Sequence, residues 1–94
     1  MIESGTLDGL IIKDPQMHNG RPTIVGTGNT VRAIAVMYKQ GLTPEEISAE
    51  LPLSLAQVYA ALTYYHLNTE EIEADIRRDS EAALKEKYGN SING

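Results

Sequence analysis

The sequence predicts a mainly α fold: a helix-turn-helix inside a three-helix bundle, with short β-strands before it and an extra helix after it. Three observations carry this. Helix starts at Thr43 and Ser54 use one capping pattern, eleven residues apart, with Pro52 in the short link between them. A stripe of Val31, Ile34, Ala35 and Tyr38 at helical spacing supplies the third helix of the bundle. Two β-prone runs separated by turn residues precede that stripe.

In chain order, residues 1–9 read as a flexible N-terminus. Leu10-Ile11-Ile12-Lys13 is a short β-like run closed by Asp14-Pro15. After the turn pair Asn19-Gly20, Arg21-Pro22-Thr23-Ile24-Val25 forms a second run, whose proline suits an edge strand. The runs pair as a hairpin or against a second subunit, and two strands alone need a cover. Gly26-Thr27-Gly28-Asn29 is a further turn. Helix 1 is predicted from a Thr30 cap to Gln40, with Gly41 as its stop.

Helix 2 is predicted over about Pro44 to Leu51, burying Ile47 and Leu51. The Thr43 hydroxyl accepts the Glu46 N–H, the Glu46 carboxylate reaches back, Pro44 stands first in the helix, and Leu42 staples onto Ile47. Ser54 and Gln57 repeat the device for helix 3, over about Leu55 to His66, with Val58, Ala61, Leu62 and Tyr65 inward. A third start of this kind follows, with Asn68 capping, Glu71 answering and Leu67 stapling onto Ile72. Helix 4 then runs to about Tyr88, before Gly89-Asn90, and Ser91 to Gly94 are read as a loose tail. Its thin apolar line of Ile72, Ile76, Ala83, Leu84 and Tyr88 requires a cover from its own domain, a second copy or another protein. The organisation is therefore a flexible 1–9, a hairpin plus helix-turn-helix domain over 10–67, and a C-terminal partner-binding helix and tail over 68–94.

Composition narrows the function classes. The 94 residues contain no cysteine, which leaves no disulfide framework or thiolate metal site, and two distant histidines, His18 and His66, make a zinc site improbable. No Ser, Cys or acid stands at a telling spacing from either histidine, so no catalytic residue and no cofactor is assigned, and an enzyme is not expected. No apolar run approaches the ~20 residues of a bilayer span and no secretory leader is visible, so a cytoplasmic protein is expected. The net charge is −5, distributed as +1 over residues 1–40, −3 over 41–68 and −3 over 69–94. The helix-turn-helix segment holds no Lys or Arg, which argues against tight DNA binding by a lone monomer. Lys13, Arg21, Arg32 and Lys39 of the first forty residues, doubled in a dimer, leave a route to phosphate.

The residues Gly20 to Thr27 with Val31, then Gly41 to Ile47, Leu51-Pro52, Val58 and Ala60 to Leu62, resemble one bacterial and archaeal family, the domain of unknown function 433. The resemblance covers roughly residues 10 to 72. It implies a homeodomain-like or winged helix-turn-helix bundle preceded by short strands, with a tendency to dimerise. Members of that family look like antitoxins of the VapB class, commonly encoded beside a PIN-like nuclease toxin. The resemblance thus implies neutralising a toxin by contact and repressing its own operon. This chain departs from the family at Gly28, where an arginine is usual, and at Asn29, where an apolar residue is usual. An arginine at that point serves either a phosphate contact or a structural salt bridge.

Two sets of candidate residues follow. The outer face of helix 3 offers Ala56, Gln57, Tyr59, Ala60, Thr63 and Tyr64, with Ser54 at its start; amide, methyl and phenol groups of this kind read bases and phosphates. Arg21, Thr27 and Arg32 join them as candidate DNA contacts. The plainer readings are a dimer or partner interface for that face, a turn for Gly26-Thr27-Gly28, and an Arg21–Asp14 bridge. The partner-binding set is Ile72, Ile76, Arg77, Ala83, Leu84 and Tyr88, with Arg77 or Arg78 facing the carboxylates and Mg²⁺ of a nuclease. Glu70, Glu71, Glu73 and Asp75 either mimic nucleic acid toward a basic toxin or form a solvated first turn favoured by the helix dipole. The expected function is an antitoxin-like, dimeric helix-turn-helix protein with a neighbouring nuclease toxin and operator DNA as partners. The alternative is a dimeric interaction module that binds no DNA.

Overall fold

The computed structural model describes residues 9–16 and 18–93, with side-chain surroundings as far as Ala82. Ile11–Ile12 (β1) pairs antiparallel with Thr23–Ile24 (β2), Ile11 opposite Ile24. Between them a tight turn over His18–Gly20 takes the chain through left-handed φ at His18, Asn19 and Gly20. The strands are short because the chain hooks straight into the first helix. Ile24 N–H donates to Asn29 O, Val31 N–H donates to Pro22 O, and Gly26 turns at φ +81°. Ile24 and Ile11 point into the core, so the hairpin acts as a lid on the helices.

Helix α1 spans Val31–Lys39, with the Thr30 hydroxyl accepting the Ala33 N–H. It ends where Gly41 adopts φ +104°, a conformation costly to residues bearing a Cβ. Val31, Ile34 and Ala35 are fully buried, but Tyr38 is 40% exposed and stands edge-on to the His66 ring, 5.9 Å away. The predicted stripe therefore stops a turn early, because the last turn of α1 lies at the rim of the bundle. Helix α2 spans Pro44–Glu50 and α3 spans Leu55–Leu67. Both capping boxes form as predicted: Glu46 N–H to Thr43 Oγ1 at 3.1 Å with Thr43 N–H to Glu46 Oε1 at 2.8 Å, and the same two distances for Gln57 and Ser54. Caps of this kind contribute ~1 kcal/mol each. The turn is locked from α2, where the Ser48 hydroxyl donates to Leu53 O and Leu53 N–H donates to Ser48 O. Ile47 is fully buried, whereas Leu51 is only half-buried against the core.

The last helix departs from prediction. Helix α4 runs over Thr69–Asn93, through Gly89 and Asn90 and past the expected end at Tyr88. One glycine costs a helix ~1 kcal/mol relative to alanine and does not stop it. Its start is not a capping box. Asn68 (φ −132°, ψ 45°) turns back to close α3, its side-chain amide donating to Tyr64 O, and the Thr69 hydroxyl donates to Tyr65 O and His66 O. With one residue between two helices, the orphan carbonyls of α3 claim the side chains that a new helix would use. Leu67 is 70% exposed and staples nothing, because Ile72 is fully buried in the bundle core. The molecule measures 55 × 29 × 22 Å, elongated by the 25 residues of α4, a rod of ~37 Å.

Candidate functional site

Two surfaces carry the residues singled out by sequence. The first is the outer face of α3. This helix has 13 residues and no Lys, Arg, Asp or Glu. Its inward side packs Val58, Ala61, Leu62 and Tyr65, and Ala60, expected on the outer face, is buried as well. What remains outside is Leu55 at 42% and Tyr59 at 48% exposure, one helical turn apart, flanked by exposed Ala56 and Thr63. Ser54 and Gln57 are occupied with each other's backbone N–H groups, so neither is free to read a base. Tyr64 is half-buried, and its hydroxyl donates to Glu71 at 3.0 Å. Helix α2 presents exposed Glu45, Glu46 and Glu50, and a shallow hollow of about 400 Å³ lies between Leu42, Glu46, Ala49 and Glu50.

The second surface is an ionic seam that closes α4 onto the N-terminal half. Lys13 Nζ lies 2.9 Å from Glu71. Lys39 Nζ donates to both Glu73 oxygens, at 2.7 and 2.8 Å. Arg21 spans two acids, with Nε 2.9 Å from Asp75 and Nη2 2.7 Å from Asp79. Arg32 Nε stands 3.1 Å from the other Asp79 oxygen, with its N–H not aimed at that atom. Asp75 is almost wholly buried, and among the described residues its Oδ2 makes no hydrogen bond. The anticipated Arg21–Asp14 bridge is absent; Asp14 accepts the Gln16 N–H instead. Glu71, Glu73 and Asp75, read as partner-facing or solvated, are spent on their own domain, and only Glu70 of that group stays exposed.

The seam sets the protonation behaviour of its members. The Lys39 ammonium and then the Tyr65 hydroxyl hold the Glu73 carboxyl below the ordinary carboxylate range. In return, donation to Glu73 at 2.5 Å, assisted by burial, pushes the Tyr65 phenol up to about 12. Contact with Glu71 raises the Lys13 ammonium, and burial followed by the same carboxylate raises the Tyr64 phenol.

The remaining candidates are placed as follows. The Thr27 hydroxyl donates to Ile24 O and accepts the Asn29 N–H, so it builds the turn. A Cβ at Gly28 would meet nothing within 4 Å, and an arginine there has room. Ile72, assigned to a partner, is at the centre of this chain's own core, and Ile76 is partly buried against it. Arg77 is exposed on α4, and Arg78 donates to Asp75. The side chains of Ala83, Leu84 and Tyr88 lie outside the described residues. Asp79 escaped the sequence reading altogether, although Glu71, Asp75 and Asp79 at i, i+4 and i+8 are visibly one face of a helix. Among the described residues no helix is long and apolar enough to cross a membrane, and no three His, Cys, Asp or Glu are grouped for a metal.

The fold has a counterpart of known structure. The chain is similar to a DUF433 member protein of known crystal structure from Anabaena variabilis, with a TM-score of 0.69 and 29% identity over 76% of this chain and 71% of that one. No curated protein matches it. The family described as protein of unknown function (DUF433) matches residues 11–65, from β1 to the end of the α3 core. The match spans more than half of the 94 residues, and the chain belongs to the DUF433 family.

Proposed function

We propose that this chain is an antitoxin-like interaction protein whose helix-turn-helix contacts protein, and whose partner is a nuclease encoded beside it. The observation that carries this reading is the outer face of α3, which exposes Leu55 and Tyr59 on a helix without Lys, Arg, Asp or Glu. A DNA reader needs cations near its recognition helix to neutralise phosphate, and residues 41–68 contain none. A protein interface favours the opposite composition, with charge depleted at its centre and aromatic and aliphatic anchors exposed. The exposed Glu45 and Glu50 of α2 suit a basic partner surface. The same uncharged face would also let two copies meet without repulsion, in keeping with a homodimer. The setting of such a pair, nuclease and neutraliser together, is the cytoplasm. Operator binding as a repressor is the second reading, favoured by the capped turn between α2 and α3 and the exposed Tyr59 and Thr63.

The test is co-expression with the neighbouring gene product. Tyr59→Asp and Leu55→Asp should each abolish co-purification while changing the unfolding free energy by no more than the ~0.5 kcal/mol usual for surface substitutions. Undiminished co-purification of both variants would remove α3 as the partner face.

A further inference from the structure

The geometry points to a second interaction surface, independent of the partner reading: the outer edge of β1, where a second copy of this chain adds its own β1 antiparallel to make a four-stranded sheet. In an antiparallel ladder each residue turns both main-chain groups either toward its partner strand or away from it. Ile24 sends its N–H to Asn29 O, and its own carbonyl accepts the Thr27 N–H, so neither group serves β1. Ile11 stands opposite Ile24 and therefore turns its N–H and C=O to the far side. Among the described residues no backbone group meets them there. The outer edge of β2 is closed by its own chain, through Ile24 to Asn29 and Val31 to Pro22. The open edge is that of β1.

Natural sheets guard such an edge, often with a lysine. Here Lys13 stands at the end of β1, but its ammonium is drawn off to Glu71, 2.9 Å away. Side chains alternate along a strand, so Ile12 lies on the face opposite Ile11 and Lys13. Ile12 is 42% exposed, and Val25 on the neighbouring strand is 43% exposed. A two-fold axis at Ile12 lets each Ile11 exchange main-chain hydrogen bonds with Lys13 of the second copy. The two Ile12 residues then face each other at a non-hydrogen-bonded position, with Cα atoms about 4.5 Å apart. A two-fold contact sets a residue at the axis against itself, which suits an apolar side chain and penalises a charged one. A strand from another protein would satisfy the same main-chain groups, but a second copy brings an identical apolar residue opposite Ile12. Two strands alone are marginal, and the pairing doubles them. It uses none of Leu55, Tyr59 and Thr63, so twin and nuclease need not share one face.

The experiment uses the full chain, which contains no cysteine of its own. Under mild oxidation I12C should convert largely to a disulfide-linked dimer, because Cα atoms about 4.5 Å apart suit that bond. V25C is equally exposed but lies three strand spacings, roughly 14 Å, from its counterpart, and should stay monomeric. Without cysteines, sedimentation equilibrium at rising concentration should give a doubled mass for the unaltered protein and for Y59D. I12K, which sets two ammonium groups against each other at the axis, should give the monomer mass. If I12K fails to fold, the two cysteine variants decide. A monomer at every concentration would overturn the assignment and leave the edge to an extended segment of another protein. Equal cross-linking of I12C and V25C would overturn the register. A dimer that survives I12K and dissociates in Y59D would place the twin on α3 instead.

Discussion

Asp75 shows how much one side chain can determine in so small a domain. It is 3% exposed, has Arg21 Nε and Arg78 Nη2 against a single oxygen, and among the described residues leaves the other without a donor. A buried carboxylate is tolerated only while its cation stays. Replacing Arg21 with methionine should therefore cost ~3 kcal/mol in urea denaturation, the low end for a broken buried pair because the arginine is a quarter exposed. Adding Asp75→Asn to that variant should recover much of the loss. If the double variant is no more stable than Arg21→Met, the pair is not the cause. Ile72 is the apolar counterpart, a fully buried side chain whose replacement by alanine should cost ~2–5 kcal/mol.

At the scale of elements, α4 is attached by groups that titrate. Glu73 has its carboxyl lowered from 4.5 in the folded state, so its contribution is complete above 4.5 and disappears as pH falls through the folded value. Tyr65 is raised from 10.0 to about 12, so its contribution is complete below 10 and disappears as pH rises through about 12. The hold of these two groups on α4 is thus widest between those limits. Melting temperature followed against pH should show Glu73→Gln flattening both limbs, because its carboxylate is the main cause of the Tyr65 shift, and Tyr65→Phe flattening the alkaline limb while only weakening the acid one, where Lys39 remains. A Glu73→Gln profile that merely shifts down at every pH would mean the pair is not what titrates. The helix-turn-helix carries no such dependence in its capping by Ser54 and Gln57, whose side chains are neutral.

At the scale of the molecule, the DUF433 match ends at residue 65, yet the fold does not. Helix α4 fills the core with Ile72 and neutralises four cations, which makes it part of the domain and not an appended arm. A chain ending at Asn68 should consequently lose at least the ~1.5–3 kcal/mol of burying one isoleucine. Its four cations would also be left without partners. An unchanged urea midpoint would show that α4 adds nothing to the fold.

The sequence by itself determined the starts of α1, α2 and α3, the turn between α2 and α3, and an α3 without Lys, Arg, Asp or Glu. Each depends on neighbours three or four residues apart, where the chain geometry brings a hydroxyl to an N–H or one apolar side chain above another. Only the tertiary structure decided where α4 goes. Asn68 read as a cap in isolation, but packing against α3 turned it into the closure of the preceding helix. Arg21 read as facing Asp14 or phosphate, but its acids stand 54 and 58 residues away along the chain. Attraction between charges carries no mark in sequence of which opposite charge will be near. The fold of the apolar core settles that, by drawing Ile72 inward and laying the acidic face of α4 across the cations.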